Sequence, residues 1–194
     1  MIKNAGAGEY TLFSTEMGWM GLACTQRGIF ASVLPQKIKN EAKLQLLAKL
    51  PFEPRQSHDA FSSLESLLHS YFQGEKVDLQ CNIDWSWATP FQEKVLKLVV
   101  SIPRGNFLSY GNVAQFIGSP KAARAVGGAL VSNMIPIIIP CHRVIRENGQ
   151  LGGFTGAELE FKARLLCLEG VEITKTKNAD AMASAINRNA FFIS

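Results

Sequence analysis

Short apolar runs separated by glycine open the chain. YTLFST (10–15), WMGLACT (19–25) and IFASVLP (29–35) are β-rich, and the EMG and QRG between them supply residues suited to turns. The pattern predicts a three-stranded antiparallel meander. KIKNEAKLQLLAKL (37–50) changes to a helical period, with Pro51 and Pro54 as its stop. SHDAFSSLESLLHSYF (57–72) reads as a second helix, capped by Ser57 and stopped by Gly74. KVDLQCNIDW (76–85) alternates as one more strand.

WSWATP (85–90) breaks the pattern, and helices follow. FQEKVLKLVVSI (91–102) places Phe91, Val95, Leu98 and Ile102 on one face, closed by Pro103 and Gly105. LSYGNVAQFIGSPKAARAVGGALVSN (108–133) reads as helix, tight turn, helix. Ser109 caps the first helix and Gly118 ends it; Ser119 caps the second, with Pro120 at its first position. Steps of about 100° per residue put Ala122, Val126, Ala129 and Leu130 toward a core, and Lys121, Arg124, Gly127 and Gly128 on the opposite side. Two mid-helix glycines cost about 1 kcal/mol each against alanine. That face either receives a phosphodiester backbone or packs tightly inside the protein; pattern alone leaves both open.

These elements predict an α+β N-terminal domain over residues 1–85, a small antiparallel sheet with helices. A mostly α C-terminal domain over 86–170 contains the helix-turn-helix and is winged-helix-like; a tail over 171–194 has no assignable role. Of the 194 residues, 47% are hydrophobic and 19% charged, a globular composition. No apolar run reaches the roughly 18 residues of a membrane span. MIKNAGAGEY lacks the apolar core of a secretory signal, so a cytoplasmic protein, nucleoid-associated when acting, is expected, with no membrane partner. The net charge is +4, and residues 85–170 carry nine Lys and Arg against five Asp and Glu. A polyanion partner fits that excess, as do ordinary surface lysines. Cys24, Cys81, Cys141 and Cys167 lie far apart and are expected as free thiols; no metal or other cofactor is expected.

IPIIIPCHRVIREN (135–148) holds the candidate chemistry. A cysteine after such a run is usually a small core hydrophobe. Here Pro140 restrains the backbone before Cys141, His142 can accept a proton, and Arg143 adds positive charge that favours a thiolate. ENGQLGGFTG (147–156) is a glycine-rich loop able to fold over a flat ligand.

Six ordered blocks over about Thr89–Gly170 resemble the O6-alkylguanine-DNA alkyltransferases: TPFQ, IPRGNFLSYG, SPKAARAVG, PCHRVI, GGFTG and KARLLCLEG. The resemblance implies repair by stoichiometric, irreversible transfer of an alkyl group from O6-alkylguanine, and possible action on O4-alkylthymine. Cys141 would be the acceptor, His142 its water-linked base and Glu169 the group that orients the histidine. Tyr110 would protonate the departing purine, and Asn133 would brace the cysteine loop. The implied partner is double-stranded DNA, bound through its minor groove by a monomer. Small residues Ala123, Gly127 and Gly128 would face the groove, and Arg124 would fill the gap left by an everted base. Ser119, Gln92, Gly111, Tyr110 and Glu147 match further DNA-contact positions. Phe154, Val144, Gly152, Gly153, Thr155 and Pro136 would form the alkylguanine pocket. The chain departs from the family pattern at Leu96, Met134, Phe154 and Ala157, and a zinc site known in some members is matched only at Cys24.

Overall fold

A computed structural model describes residues 8–154 and 159–171. The chain divides into two units: residues 1–88 with Met134–Ile138, and Thr89–Asn133 with residues 139–194.

The first unit is built on the meander. Strands β1 (Glu9–Thr15), β2 (Gly18–Thr25) and β3 (Gly28–Gln36) pair antiparallel in order, and β4 (Arg55–Gln56) adds in parallel beside β1. The β1–β2 turn depends on Gly18, at φ 126°, where a side chain would meet the Gln36 backbone. Helix α1 (Lys39–Leu47) buries Ala42 and Leu46 against a cluster that includes Tyr10, Leu12, Phe30 and Val33. It stops before the two prolines expected to end it. Helix α2 (Ser62–Phe72) follows a single 3₁₀ turn at Asp59–Phe61, so Ser57 caps nothing.

The strand expected over 76–85 does not form. Ile29 and Ile83 make one isolated parallel bridge. The alternation is present in burial, since Val77, Leu79, Cys81 and Ile83 are half-buried between exposed neighbours, but a ladder does not develop. Asp84 turns inward instead, accepting from Thr25 Oγ1 at 2.6 Å, the Ser86 N–H at 3.0 Å and Arg27 Nε at 3.1 Å. Met134–Ile138 also belongs to this unit: the Ser32 N–H donates to Met134 O at 2.9 Å and its hydroxyl to Pro136 O at 3.0 Å.

The second unit starts at a capping box. Thr89 Oγ1 accepts from the Gln92 N–H and Gln92 Oε1 from the Thr89 N–H, opening α3 (Pro90–Val100). Val95, Leu96 and Val99 are its buried face and Ile102 is buried just past its end, so Val95 and Ile102 of the predicted stripe are buried while Phe91 and Leu98 are half-buried. Strand β5 (Leu108–Ser109) leads into α4 (Tyr110–Phe116), capped by Ser109 with Asn112 and ended by Gly118 at φ 73°. Helix α5 (Ala123–Val131) begins later than predicted. Residues 119–122 form a turn closed by the Ala122 N–H on Ser119 O, and Ser119 makes no cap. Strand β6 (Val144–Ile145) pairs in parallel with β5, Leu108 opposite Val144 and Ser109 opposite Ile145. Helix α6 (Leu159–Leu168) ends at Gly170, where the Val171 N–H reaches back to Leu166 O. The β5–β6 pair matters most for the site: it brings Tyr110, just after β5, beside the turn Cys141–Arg143, just before β6. No described helix is long and apolar enough to cross a membrane.

Candidate active site

Cys141 opens a single 3₁₀ turn held by the Cys141 N–H on Ile139 O and the Arg143 N–H on Pro140 O. Ile137, four residues earlier, holds φ 77°, a left-handed conformation rare for a β-branched residue. Cys141 is 3% exposed, and Asn133 Nδ2 donates to its sulfur at 3.2 Å and to Ile139 O at 3.0 Å. An N–H aimed at sulfur favours its anionic form.

His142 is fully buried, and its Nε2 lies 2.8 Å from Glu169 Oε1. Burial raises the cost of charging Glu169, but hydrogen bonds from His142 and Arg143 outweigh it and hold the carboxyl well below its usual range. A carboxylate only accepts, so the histidine proton sits on Nε2 and Nδ1 carries the lone pair. Burial lowers the imidazole pKa despite the Glu169 contact, which keeps the ring neutral near pH 7. Arg143 grips the same carboxylate through Nε and Nη2, both at 2.9 Å, and donates from Nη1 to Ile102 O at 2.5 Å. The charge expected to act on Cys141 is therefore largely cancelled by Glu169.

Lys162, which the sequence pattern did not single out, is also fully buried. Its ammonium donates to Val144 O and Leu151 O, both at 2.6 Å, and to Gly153 O at 3.2 Å. Burial lowers its pKa to about 8, so it is mostly charged at neutral pH. It ties the loop after β6 to α6.

A cavity of about 370 Å³ reaches the sulfur. Its walls come from α5, from Tyr110 and from the loop at Gly152, Gly153 and Phe154. Phe154 packs edge-on to His142 and stacks on Phe161, with centroids 6.5 and 6.3 Å away. Gly152 is at φ 68°, and a Cβ there would lie 2.7 Å from the Tyr110 hydroxyl. Burial raises the Tyr110 pKa; Arg146 pulls it down and Cys141 pushes it up, so the phenol is protonated at neutral pH.

The two explanations for the glycines of α5 can now be separated. A Cβ on Gly127 would make only ordinary contact with Tyr110 at 3.8 Å, and one on Gly128 would meet nothing within 4 Å. Close packing among the described residues does not require either glycine. Val126, Ala129 and Leu130 are buried on the inner face, while Lys121, Arg124 and Gly128 are exposed.

A family model described as "6-O-methylguanine DNA methyltransferase, DNA binding domain" matches residues 90–171. A methylated-DNA–protein-cysteine methyltransferase of Methanosarcina acetivorans is 35% identical over 161 residues, covering 83% of this chain and 97% of that protein. The chain belongs to the methylated-DNA–protein-cysteine methyltransferase family. The constitutive methyltransferase of Bacillus subtilis is 44% identical over 104 residues, 54% of this chain and 62% of that protein, so that match spans less than two thirds of its length. A crystal structure of Mycobacterium tuberculosis OGT in complex with DNA superposes with TM-score 0.71 at 34% identity, covering 83% of this chain and 92% of that one.

Within this chain, the residues named from sequence divide by location. Cys141, Tyr110, Ala123, Arg124, Gly127, and the 152–154 stretch line the cavity. Asn133 donates to the sulfur, while His142, next to Cys141 in the same turn, is paired with Glu169. Gln92 is engaged in its capping box, Gly111 is half-buried in the first turn of α4, Ser119 is half-buried in the turn before α5, and Glu147 is exposed. Pro136 and Val144 are not among the cavity walls. Pro136 sits in the first unit with its carbonyl on Ser32, and Val144 is buried in β6 with its carbonyl on Lys162. Thr155 lies outside the described residues, as does Ala157. Among the described residues, no group of three or more His, Cys, Asp or Glu is placed to hold a metal ion.

Proposed function

We propose that this chain repairs DNA by moving the alkyl group of O6-alkylguanine onto Cys141, once per molecule. The observation that carries the proposal is that Cys141 lines a nucleobase-sized cavity, with His142, next to it in the same turn, buried against Glu169. His142 Nδ1 takes the thiol proton through a water. The sulfur attacks the saturated alkyl carbon as the carbon–O6 bond breaks, and the bonding electrons pass to the purine. Tyr110 donates a proton to the purine ring, so neutral guanine departs. A thioether remains on the protein. Asn133 steadies the sulfur.

Helices α4 and α5, joined by residues 117–122, serve as a helix-turn-helix in a winged-helix-like unit. The bare face of α5 enters the minor groove, where Ala123, Gly127 and Gly128 leave room for the backbone. Arg124 fills the space of the everted base, since a duplex hides the reacting carbon. The complete set of groups resides in one chain, which supports action as a monomer.

The test is to incubate the protein with a duplex carrying one O6-methylguanine and weigh the intact chain. The expected result is a gain of one methyl, absent in Cys141→Ser. Binding without mass gain would make it a lesion-recognition protein instead. Arg124→Ala should slow transfer from duplex far more than from free O6-benzylguanine; equal losses would remove the finger role.

A further inference from the structure

The cavity wall holds a second guanidinium besides Arg124. Arg146 lines the same cavity as α5, from the turn that follows β6. Its backbone is fixed by the Arg146 N–H on Gln150 O at 2.8 Å and the Gly149 N–H on Arg146 O at 3.0 Å, with Gly149 at φ 79°. Its Nη1 donates to Gln150 Oε1 at 3.2 Å, a neutral acceptor. Among the described residues no carboxylate, neighbouring Glu147 included, forms an ion pair with it. Arg143, three residues earlier, has its charge offset by Glu169; Arg146 keeps its own.

The described walls of the cavity include two arginines and no acid. An exposed cation beside an apolar recess focuses its field there, and the Tyr110 hydroxyl feels it. A purine can enter such a recess, but its flanking phosphates stay charged and remain at the mouth. A guanidinium offers phosphate a planar pair of donors. We propose that Arg146 is a phosphate-binding residue at the cavity mouth, which grips the backbone next to the everted nucleotide while Arg124 occupies the stack. This rests on the alkyl-transfer reading.

The test uses the full chain, Arg146→Gln and Arg146→Lys. Substrates are a duplex with one O6-methylguanine, the same duplex with a neutral methylphosphonate 5′ or 3′ of the lesion, and free O6-benzylguanine. For Arg146→Gln, the duplex concentration giving half-maximal rate should rise about tenfold, with a much smaller change in the saturated rate. The loss on duplex should exceed the loss on free base by a similar factor. The slope of log affinity against log salt should fall by about 0.9, one phosphate contact. Arg146→Lys should recover part of the loss. One methylphosphonate position should erase the difference between wild type and Arg146→Gln. Equal slowing on free base would overturn the proposal in favour of an effect on Tyr110, and an unchanged salt slope would also overturn it. If wild type gains no methyl from the unmodified duplex, the alkyl-transfer reading fails instead.

Discussion

Replacing Glu169 by glutamine tests the buried network with little change in shape. The carboxylate accepts from His142 Nε2 at 2.8 Å and Arg143 Nη2 at 2.9 Å on Oε1, and from Arg143 Nε at 2.9 Å on Oε2. A glutamine has one acceptor oxygen. If that oxygen faces Arg143 Nε, the amide NH₂ faces His142, whose proton must move to Nδ1. The nitrogen that would receive the thiol proton is then blocked. If the oxygen faces His142, the NH₂ opposes the guanidinium, donor against donor. Either way Arg143 loses its counterion, with its side chain only 12% exposed. Breaking a buried pair this way costs about 3–5 kcal/mol. That corresponds to a fall in Tm on the order of 10 °C. Loss of a positioned base slows transfer by roughly 10²–10⁴-fold.

Two measurements separate these effects. Thermal melting gives the stability loss, and single-turnover mass spectrometry at a temperature where the variant is folded gives the rate. The double variant Arg143→Met/Glu169→Gln removes the stranded charge, so it should recover much of the stability and little of the rate. A folded Glu169→Gln protein that transfers methyl within twofold of wild type would refute the tautomer argument.

Gly128→Ala should stabilise the protein by about 1 kcal/mol in urea unfolding, because helix propensity rises and the new Cβ meets nothing, yet weaken duplex binding. A gain in stability with unchanged DNA affinity would remove α5 from the interface. Tyr110→Phe should slow transfer while leaving duplex affinity nearly intact, and an unchanged rate would exclude proton donation. Lys162 titrates at about 8 in the fold against 10.5 when unperturbed, so over that window the unfolded chain binds the extra proton. Stability of wild type relative to Lys162→Met should therefore rise from pH 8 toward pH 10.5 and be lost again as pH falls through 8. An unfolding free-energy difference that stays constant between those values would contradict the buried-ammonium assignment.

Local signals in the sequence are strong where one turn of backbone decides the outcome. The Ser109 cap, the Gly118 stop and the β1–β2–β3 meander depend on neighbours within a few residues, and all are present. Signals fail where a distant partner intervenes. Residues 76–85 alternate correctly but Asp84 is drawn to Thr25 and Arg27, so a ladder is replaced by one bridge. Ser119 has cap chemistry, yet the chain spends 119–122 on a turn. In the site, the adjacency of Cys141 and His142 is visible at once, while the competition of His142 and Arg143 for Glu169 spans 26 or 27 positions. Lys162 lies in a stretch, FKARLLCLEG, that looks like an ordinary helix with a charged face. Its burial becomes apparent only when β6 and the loop after it present three carbonyls.

Helix α5 must satisfy three demands in nine residues. Val126, Ala129 and Leu130 fill the core of their unit. The outer face must stay low, and Gly128 keeps it low at a cost in helix propensity that no described contact explains. The same helix also walls the cavity through Ala123, Arg124, Gly127 and Val131. Gly127 belongs to both surfaces and Gly128 to the outer one alone. On the proposed reading this sharing has a direct consequence. A duplex seated on α5 already lies at the mouth of the cavity, so an everted base has only the width of the helix to cross. Groove recognition and delivery to Cys141 are then one geometric event.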